Sequence, residues 1–223
     1  MGNLTQLSDV KTILQIASSD TSQDAILALL IPAISSQIES YCNRTFGVAT
    51  YTENLPPNNT TALQLANWPI NSVTSITDSG TILQENSDYY LYSQYSSCGQ
   101  IYRPTGWYGQ MLGRGLTFDP FENMIVIKAV YSAGYNLPGM TPVVGAHTLP
   151  SSIQLASMQM TAKAYSLCNS GNIGENLNSI SEGAESLSFD NPAKIPSDLF
   201  SITAGLPVQF ASLLNPFKKF GGI

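Results

Sequence analysis

Charge is the first thing this sequence has little of. Asp, Glu, Lys and Arg make up 11% of its 223 residues, against about 25% in an ordinary globular chain. Ser, Thr, Asn and Gln fill the gap, giving a weakly charged polar surface that suits a protein largely covered by partners. A secreted or viral β-rich protein would share that composition. The charge that is present is mostly negative, with a net of −6 and a pI near 4.6. No basic block occurs, and Lys218-Lys219 is the densest basic stretch. Tight binding to nucleic-acid phosphates normally needs clustered Lys and Arg, so a sequence reader of DNA or RNA is not expected.

Histidine and cysteine are scarce too. His147 stands alone, and Cys42, Cys98 and Cys168 lie far apart in the chain. Zinc sites want these residues clustered, so no metal or cofactor is expected. An odd, scattered set of cysteines also argues against a disulfide framework and fits synthesis in a reducing cytoplasm. Long hydrophobic runs are missing as well. The longest, Ala25 to Ile34, contains Pro32, whereas a spanning helix needs about 20 apolar residues, so no membrane association is expected. No basic stretch leads into an apolar one near Met1, so no secretory signal is expected. Met1-Gly2 opens as a myristoylation site would, but Gln6 stands where Ser or Thr is required. The Asn-x-Thr sequons at Asn3, Asn43, Asn58 and Asn59 are expected to be accidents of composition.

Helical periodicity marks the two flanks of the chain's first two thirds. Ser8 can cap a short helix carrying Val10, Ile13, Leu14 and Ile16. Thr21 with Asp24 resembles a capping box before a longer helix over Ser22–Asn43. Its stripe reads Ile26, Leu30, Ile34, Ile38 and Cys42, with Leu27, Ala33 and Tyr41 flanking. Pro32 predicts a kink. Between the helices the period changes to two. Strands are expected at Val48–Leu55, around Leu63, at Val73–Thr77, from Thr81 to Leu83, at Asp88–Tyr92, at Gln100–Arg103 and at Met124–Tyr131. Asp78-Ser79-Gly80 reads as a tight hairpin turn. Pro150 opens a second long helix with the stripe Ile153, Ala156, Met160, Ala164 and Leu167, stopped by Gly171.

The sequence therefore predicts an α+β fold, mainly helical: packed helices with a small antiparallel β-sheet, long loops and an extended C-terminal arm. Residues 1–171 form the core domain, with a loop excursion over 95–123. Residues 172–223 form the arm, with one helical turn near Phe210–Leu214. No reactive constellation stands out. A Cys–His dyad would need His147 beside one of three cysteines that nothing local singles out. Asp119 with Glu122, and Glu182 with Glu185, could be carboxylate pairs, but a solvated loop explains both. Gly113-Arg114-Gly115 lacks the lysine of a phosphate loop. No catalytic residue is assigned.

Aromatics are plentiful in one place. Tyr89, Tyr90, Tyr92, Tyr95, Tyr102, Trp107 and Tyr108 crowd together. Such a cluster can build cross-strand pairs, anchor a protein interface or stack on sugars and bases. Trp107 and Tyr108 are the candidate partner-binding residues here, because a Gly-rich aromatic loop is poorly suited to stand free. In the arm, Phe210, Leu213, Leu214, Phe217 and Phe220 are apolar groups that a disordered tail would lack, and Lys218 and Lys219 could meet an acidic patch. These residues are expected to dock on another protein, with folding back onto the same subunit as the alternative.

Five segments resemble the head–tail connector family of tailed bacteriophages. They are Leu7-Ser8-Asp9-Val10-Lys11 with the helix closing on Arg44-Thr45-Phe46; Trp68-Pro69-Ile70 through Ile76, followed by Asp88-Tyr89-Tyr90-Leu91; Ile125 to Tyr131 running into Ser132-Ala133-Gly134-Tyr135; Leu149-Pro150 opening a helix with Ile153-Gln154-Leu155-Ala156; and the closing Leu213 to Phe220. The match covers about half the chain, and Tyr95–Glu122 and Asn136–Thr148 depart from compact members. The resemblance implies a structural virion protein, made in the host cytoplasm and placed at the neck. It implies a homo-oligomeric ring, a dodecamer, that joins the portal to a neck or tail-terminator protein and lets genomic DNA pass during ejection. Twelve copies at −6 would carry about −72, and such a lumen repels phosphate. A neck stopper, a tail module or a carbohydrate-binding tail module are the alternatives.

Overall fold

The structure is a computed structural model and describes residues 2–108, 127–169, 179–182, 185–188, 202–203 and 206–219. In chain order the elements are α1 (Leu7–Ile13), α2 (Asp24–Cys42), β1 (Ala49–Leu55), β2 (Ala62–Gln64), β3 (Ile70–Asp78), β4 (Thr81–Leu83), α3 (Ser93–Ser96), β5 (Gln100–Tyr102), β6 (Ile127–Ala133), β7 (Tyr135–Asn136), β8 (His147–Thr148), α4 (Ser151–Asn169), β9 (Ser179–Glu182), β10 (Glu185–Ser188), β11 (Ile202–Thr203), β12 (Leu206–Pro207) and α5 (Val208–Leu214), with a 3-10 turn at Asn215–Phe217. The class is α+β, as expected, but only 35% of residues are helical, so "mainly helical" is too strong. The chain divides into two units: Met1–Phe46, Leu137–Met140 and Leu149–Ile223 make a helical unit, and Gly47–Asn136 with Thr141–Thr148 make a sheet unit.

In the helical unit, α1 starts one residue before Ser8. The Gln6 N–H donates to the Asp9 carboxylate at 3.4 Å, so the acid at the third helical position serves this end and Ser8 lies inside the first turn. At the start of α2 the Asp24 N–H donates to the Thr21 backbone carbonyl at 3.2 Å, and the expected Thr21–Asp24 capping box does not form. The Asp24 carboxylate instead pairs with Lys11 at 2.5 Å, and Lys11 also donates to the Asp20 carbonyl at 2.8 Å.

Helix α2 runs continuously through Pro32. Its buried row is Leu27, Ile31, Ser35, Ile38 and Cys42, while Ile26, Leu30 and Ile34 are half-buried. The face is thus turned by one residue from the expected stripe. The unbroken apolar run Ala25–Ile34 does not define a phase. Ser35 looks too polar for a core position until its bonds are seen: the hydroxyl donates to the Ile31 carbonyl at 2.8 Å and accepts the Leu4 N–H at 3.0 Å. This helix is, by length and composition, apolar enough to cross a membrane, contrary to the reading of its sequence. Its packing on α4 accounts for one apolar side.

Leu27 and Ile31 pack with Val10 and the partly buried Met158 and Tyr165. On α4 the stripe Ile153, Ala156 and Met160 is buried as the spacing predicts, joined by Ser157 and Thr161, whereas Ala164 is half-buried. The Thr161 hydroxyl donates to the Ser157 carbonyl at 2.8 Å. Helix α2 ends on Asn43 in the left-handed region, φ 52 and ψ 40. The Arg44 N–H returns to the Glu39 carbonyl at 3.1 Å, closing a Schellman-type cap. The Phe46 N–H donates to the Glu39 carboxylate at 2.9 Å, and the Arg44 guanidinium sits 5.1 Å from the buried Phe46 ring. The Arg-x-Phe step is therefore a helix terminator.

The sheet unit is built on a four-stranded antiparallel sheet in the order β1-β6-β3-β4. Strand β6 is central, and its alternate residues Ile127, Ala129, Tyr131 and Ala133 are buried, the period-two pattern of a sheet with one covered face. Two register shifts in β3, between Ile70 and Ser72 and between Val73 and Ser75, bulge it against β6. Asp78 pairs with Thr81, and the two residues between have positive φ, 51° at Ser79 and 84° at Gly80, the type I′ geometry that matches strand twist. The expected strand Asp88–Tyr92 is absent: only isolated bridges join Glu85 to Tyr89 and Tyr90 to Tyr102. The Asp88 carboxylate accepts the Gln84 N–H at 2.7 Å and makes this stretch a turn. Strand β2 pairs with β5, and β7 with β8 in parallel.

Candidate functional site

The groups considered for chemistry are dispersed. Among the described residues no three His, Cys, Asp or Glu side chains gather as a metal site would require. His147 lies exposed in β8. Cys42 is fully buried, and burial pushes its thiol up to about 11, the opposite of an activated nucleophile. Cys98 is exposed and Cys168 half-buried. Glu182 and Glu185 are register partners at the end of the β9–β10 hairpin. Asp119, Glu122 and the glycines at 113 and 115 lie outside the described residues.

One part-buried polar network does occur in the sheet unit. The Tyr131 hydroxyl donates to the Glu53 carboxylate and accepts the Asn67 N–H at 3.1 Å. Glu53 also accepts the Ala66 N–H and the Asn67 side-chain amide, each at 3.0 Å. Burial, then the bond to Glu53, holds the Tyr131 phenol well above its usual range. One bond joins β6 to β1 and the others tie the 66–67 turn to these two strands, so the network positions backbone.

The tyrosine cluster is ring packed against ring. Tyr90 and Tyr92 stack at 5.5 Å between centroids with planes 5° apart, and Tyr95 and Tyr102 at 6.0 Å and 13°. Tyr92 tilts against both Tyr95 and Tyr102 at about 6 Å. Tyr90 and Tyr102 are bridge partners. This is the sheet-building use of aromatics, with Tyr92 left exposed at its edge.

Of the two aromatics expected to meet a partner, the structure buries one. Trp107 has no solvent exposure and belongs to the sheet unit's own core. Its backbone N–H donates to the Thr60 carbonyl at 2.8 Å, and the Arg103 guanidinium lies 5.2 Å from its ring while bonding Asp78 at 2.5 Å. The expectation of a partner-facing Trp107 is corrected: pairing of its backbone with the 59–60 loop folds the indole inward. Tyr108 is 56% exposed. The turn needs Gly106, whose φ is +79°; a Cβ there would meet the Tyr108 ring at 2.2 Å. The rest of the 95–123 excursion, residues 109–126, lies outside the described residues.

The C-terminal segment also turns out differently. Phe210 and Leu214 are buried within the helical unit, where α5 packs on α4. Leu213, Phe217, Lys218 and Lys219 are half-buried, and Phe220 lies outside the described residues. For Phe210 and Leu214 the docking surface is the chain's own core, so the fold-back alternative holds there. The reason is local: the last turn of α2 has carbonyls to satisfy, and the segment supplies a donor, Lys219 N–H to the Cys42 carbonyl at 2.8 Å.

Two surfaces escaped the sequence reading. The turn at Val143–Val144 projects from the sheet unit, and Ile13, Leu155, Met158 and Leu213 line a groove in the helical unit. The legible signal was the absence of any Asp, Glu, Lys or Arg from residue 129 to residue 162.

These features define an α+β protein whose notable groups are exposed apolar surfaces and structural pins. The chain belongs to the head completion protein family, whose model matches residues 3–202. No curated protein sequence matches it. Among solved structures it is similar to a chain from the neck of an empty GTA particle computed with C6 symmetry, at TM-score 0.48 and 13% identity over 97% of this chain and 90% of that one. A chain from the neck of a native GTA particle computed with C12 symmetry gives 0.46 and 13% over 100% and 96%. One from the virion of a native gene transfer agent particle gives 0.46 and 16% over 97% and 89%.

Proposed function

We propose that this chain is a structural neck protein that closes into a ring, a dodecamer, between the portal at the capsid vertex and the neck or tail-terminator protein. It works by contact, without catalysis, and genomic DNA passes through its lumen unread. The observation that carries this reading is membership of the head completion family over residues 3–202. The acid excess adds support: a net of −6 per copy, multiplied around a ring, repels phosphate and lets DNA slide. Tyr108 is 56% exposed and Leu213, Phe217, Lys218 and Lys219 are partly exposed, which leaves these side chains some surface for a portal or neighbouring subunit.

Electron microscopy of the purified protein mixed with its portal tests the reading. The expected result is a ring seated on the portal. A protein that stays monomeric and leaves the portal bare at every concentration tried would overturn it.

A further inference from the structure

The loop between β7 and β8 is braced as an apolar tip. The Asn136 side-chain amide donates to the carbonyls of Val143 at 3.1 Å and Ala146 at 3.2 Å, and its oxygen accepts the Val143 N–H at 2.8 Å. The Ala146 N–H returns to the Val143 carbonyl at 3.2 Å, with Gly145 at φ 81°. The base is closed by the parallel pairing of Tyr135 with His147 and of Asn136 with Thr148. The product of all this bonding is that Val144 is 100% and Val143 46% exposed. A held apolar side chain loses little freedom when covered, and covering it is worth about 25 cal/mol per Å2.

The helical unit carries an apolar depression. Helices α1, α4 and α5 leave a groove of about 660 Å3 whose apolar lining is Ile13, Leu155, Met158 and Leu213. Ile13 and Leu155 are each 39% exposed. The carboxylate on its rim, Asp9, is held by the Gln154 amide at 3.1 Å and by the Gln6 N–H, so it turns to its own chain. The electrostatics of tip and groove agree. Both the tip and the α4 wall of the groove come from residues 129–162, which hold no charged side chain, and Asp9, already bonded to Gln154, is the one charged group among the groove's lining residues. Knob and socket are unlike surfaces of one chain, the requirement for a head-to-tail contact that closes into a ring.

We infer that the Val143–Val144 tip of one copy seats in the Ile13–Leu155–Met158–Leu213 groove of the next copy. The inference rests on the ring reading and names its subunit contact. To test it, Val144→Cys and Leu155→Cys are placed in separate proteins, each in a Cys98→Ser, Cys168→Ser background that keeps the buried Cys42. The two are mixed, assembled on the portal and mildly oxidised, with the wild-type ring imaged in parallel. A disulfide-linked dimer holding one copy of each, formed only in the mixture, is expected. Val144→Asp is expected to weaken assembly about tenfold or more with no change in melting temperature. Rings that form without the mixed cross-link, or that link tip to tip, overturn the contact while leaving the ring intact. Absence of any ring from the wild-type protein overturns the ring reading itself, and the contact falls with it.

Discussion

The Tyr41 hydroxyl donates to the side-chain oxygen of Asn215 at 2.7 Å, joining residues 174 positions apart. The Lys218 ammonium lies 4.6 Å from the Tyr41 ring, and the Lys219 N–H caps the Cys42 carbonyl. Four residues of the C-terminal segment, Leu214, Asn215, Lys218 and Lys219, thus close over the last turn of α2.

It follows that the segment is part of the helical unit's stability. Leu214→Ala should cost about 2–4 kcal/mol, as for other fully buried leucines, and Tyr41→Phe about 1 kcal/mol for one hydrogen bond. Deleting everything after Ser201 should destabilise by more than either. Thermal and denaturant melts decide: a truncated protein that unfolds at the wild-type midpoint would show the segment to be dispensable.

The same cover governs thiol reactivity. Cys42 is buried beneath Leu214, its thiol raised to about 11 chiefly by burial, whereas Cys98 is exposed. An alkylating reagent near neutral pH should label Cys98 and leave Cys42 unmodified, and Leu214→Ala should open Cys42 to labelling. Mass spectrometry of the labelled peptides would contradict this if both cysteines of the wild type reacted at one rate.

Some of this was legible beforehand and some was not, for identifiable reasons. The central strand showed itself through the apolar, β-branched run from Ile125 to Tyr131, and the Asp78-Ser79-Gly80 turn through its residue types. The phase of α2 was hidden because Ala25–Ile34 is apolar all round and Ser35 satisfies its own hydroxyl. Trp107 and Leu214 were misplaced because long-range bonds, from the Trp107 backbone to Thr60 and from Lys219 to Cys42, fold these segments onto their own units, and no local period records it. The braced tip at Val143 depends on the Asn136 side chain, which a pattern of apolar residues does not reveal.

Helix α2 offers a direct test of its facing. Ile31 lies in the buried row, Ile34 at its margin, and Leu29 is 74% exposed on the opposite side. Ile31→Asp should cost several kcal/mol, since a buried unpaired charge is among the largest single-residue penalties. Ile34→Asp should cost less, and Leu29→Asp close to nothing in an isolated subunit. Equal losses for Ile31→Asp and Leu29→Asp would mean that the face has been assigned wrongly.

Alkaline pH should loosen the sheet unit. Burial pushes Tyr89 up to about 12, and burial with the Glu53 bond raises Tyr131 further. A raised folded-state value means the folded chain keeps a proton that the unfolded chain gives up at about pH 10. The stabilisation is therefore complete below pH 10 and declines as pH rises toward these higher values. Tyr131→Phe should lower stability at neutral pH, by loss of its hydrogen bonds, and flatten the decline. Melting temperatures measured from neutral pH upward, alongside tyrosinate absorbance, would refute this if wild type and variant fell in parallel.

Trp107 and Tyr108 are sequence neighbours with opposite roles. Trp107→Ala empties a fully buried site beneath Arg103 and should cost about 3–5 kcal/mol, destabilising the monomer before any assembly defect can be read. Tyr108→Ala removes a side chain that is 56% exposed and should leave the melt within about 0.5 kcal/mol of wild type. Any role in contacting a partner then belongs to Tyr108, and it appears as reduced assembly on portal-bearing heads at unchanged stability. A Trp107→Ala protein that melts normally yet fails to assemble would restore Trp107 to the interface and remove it from the core.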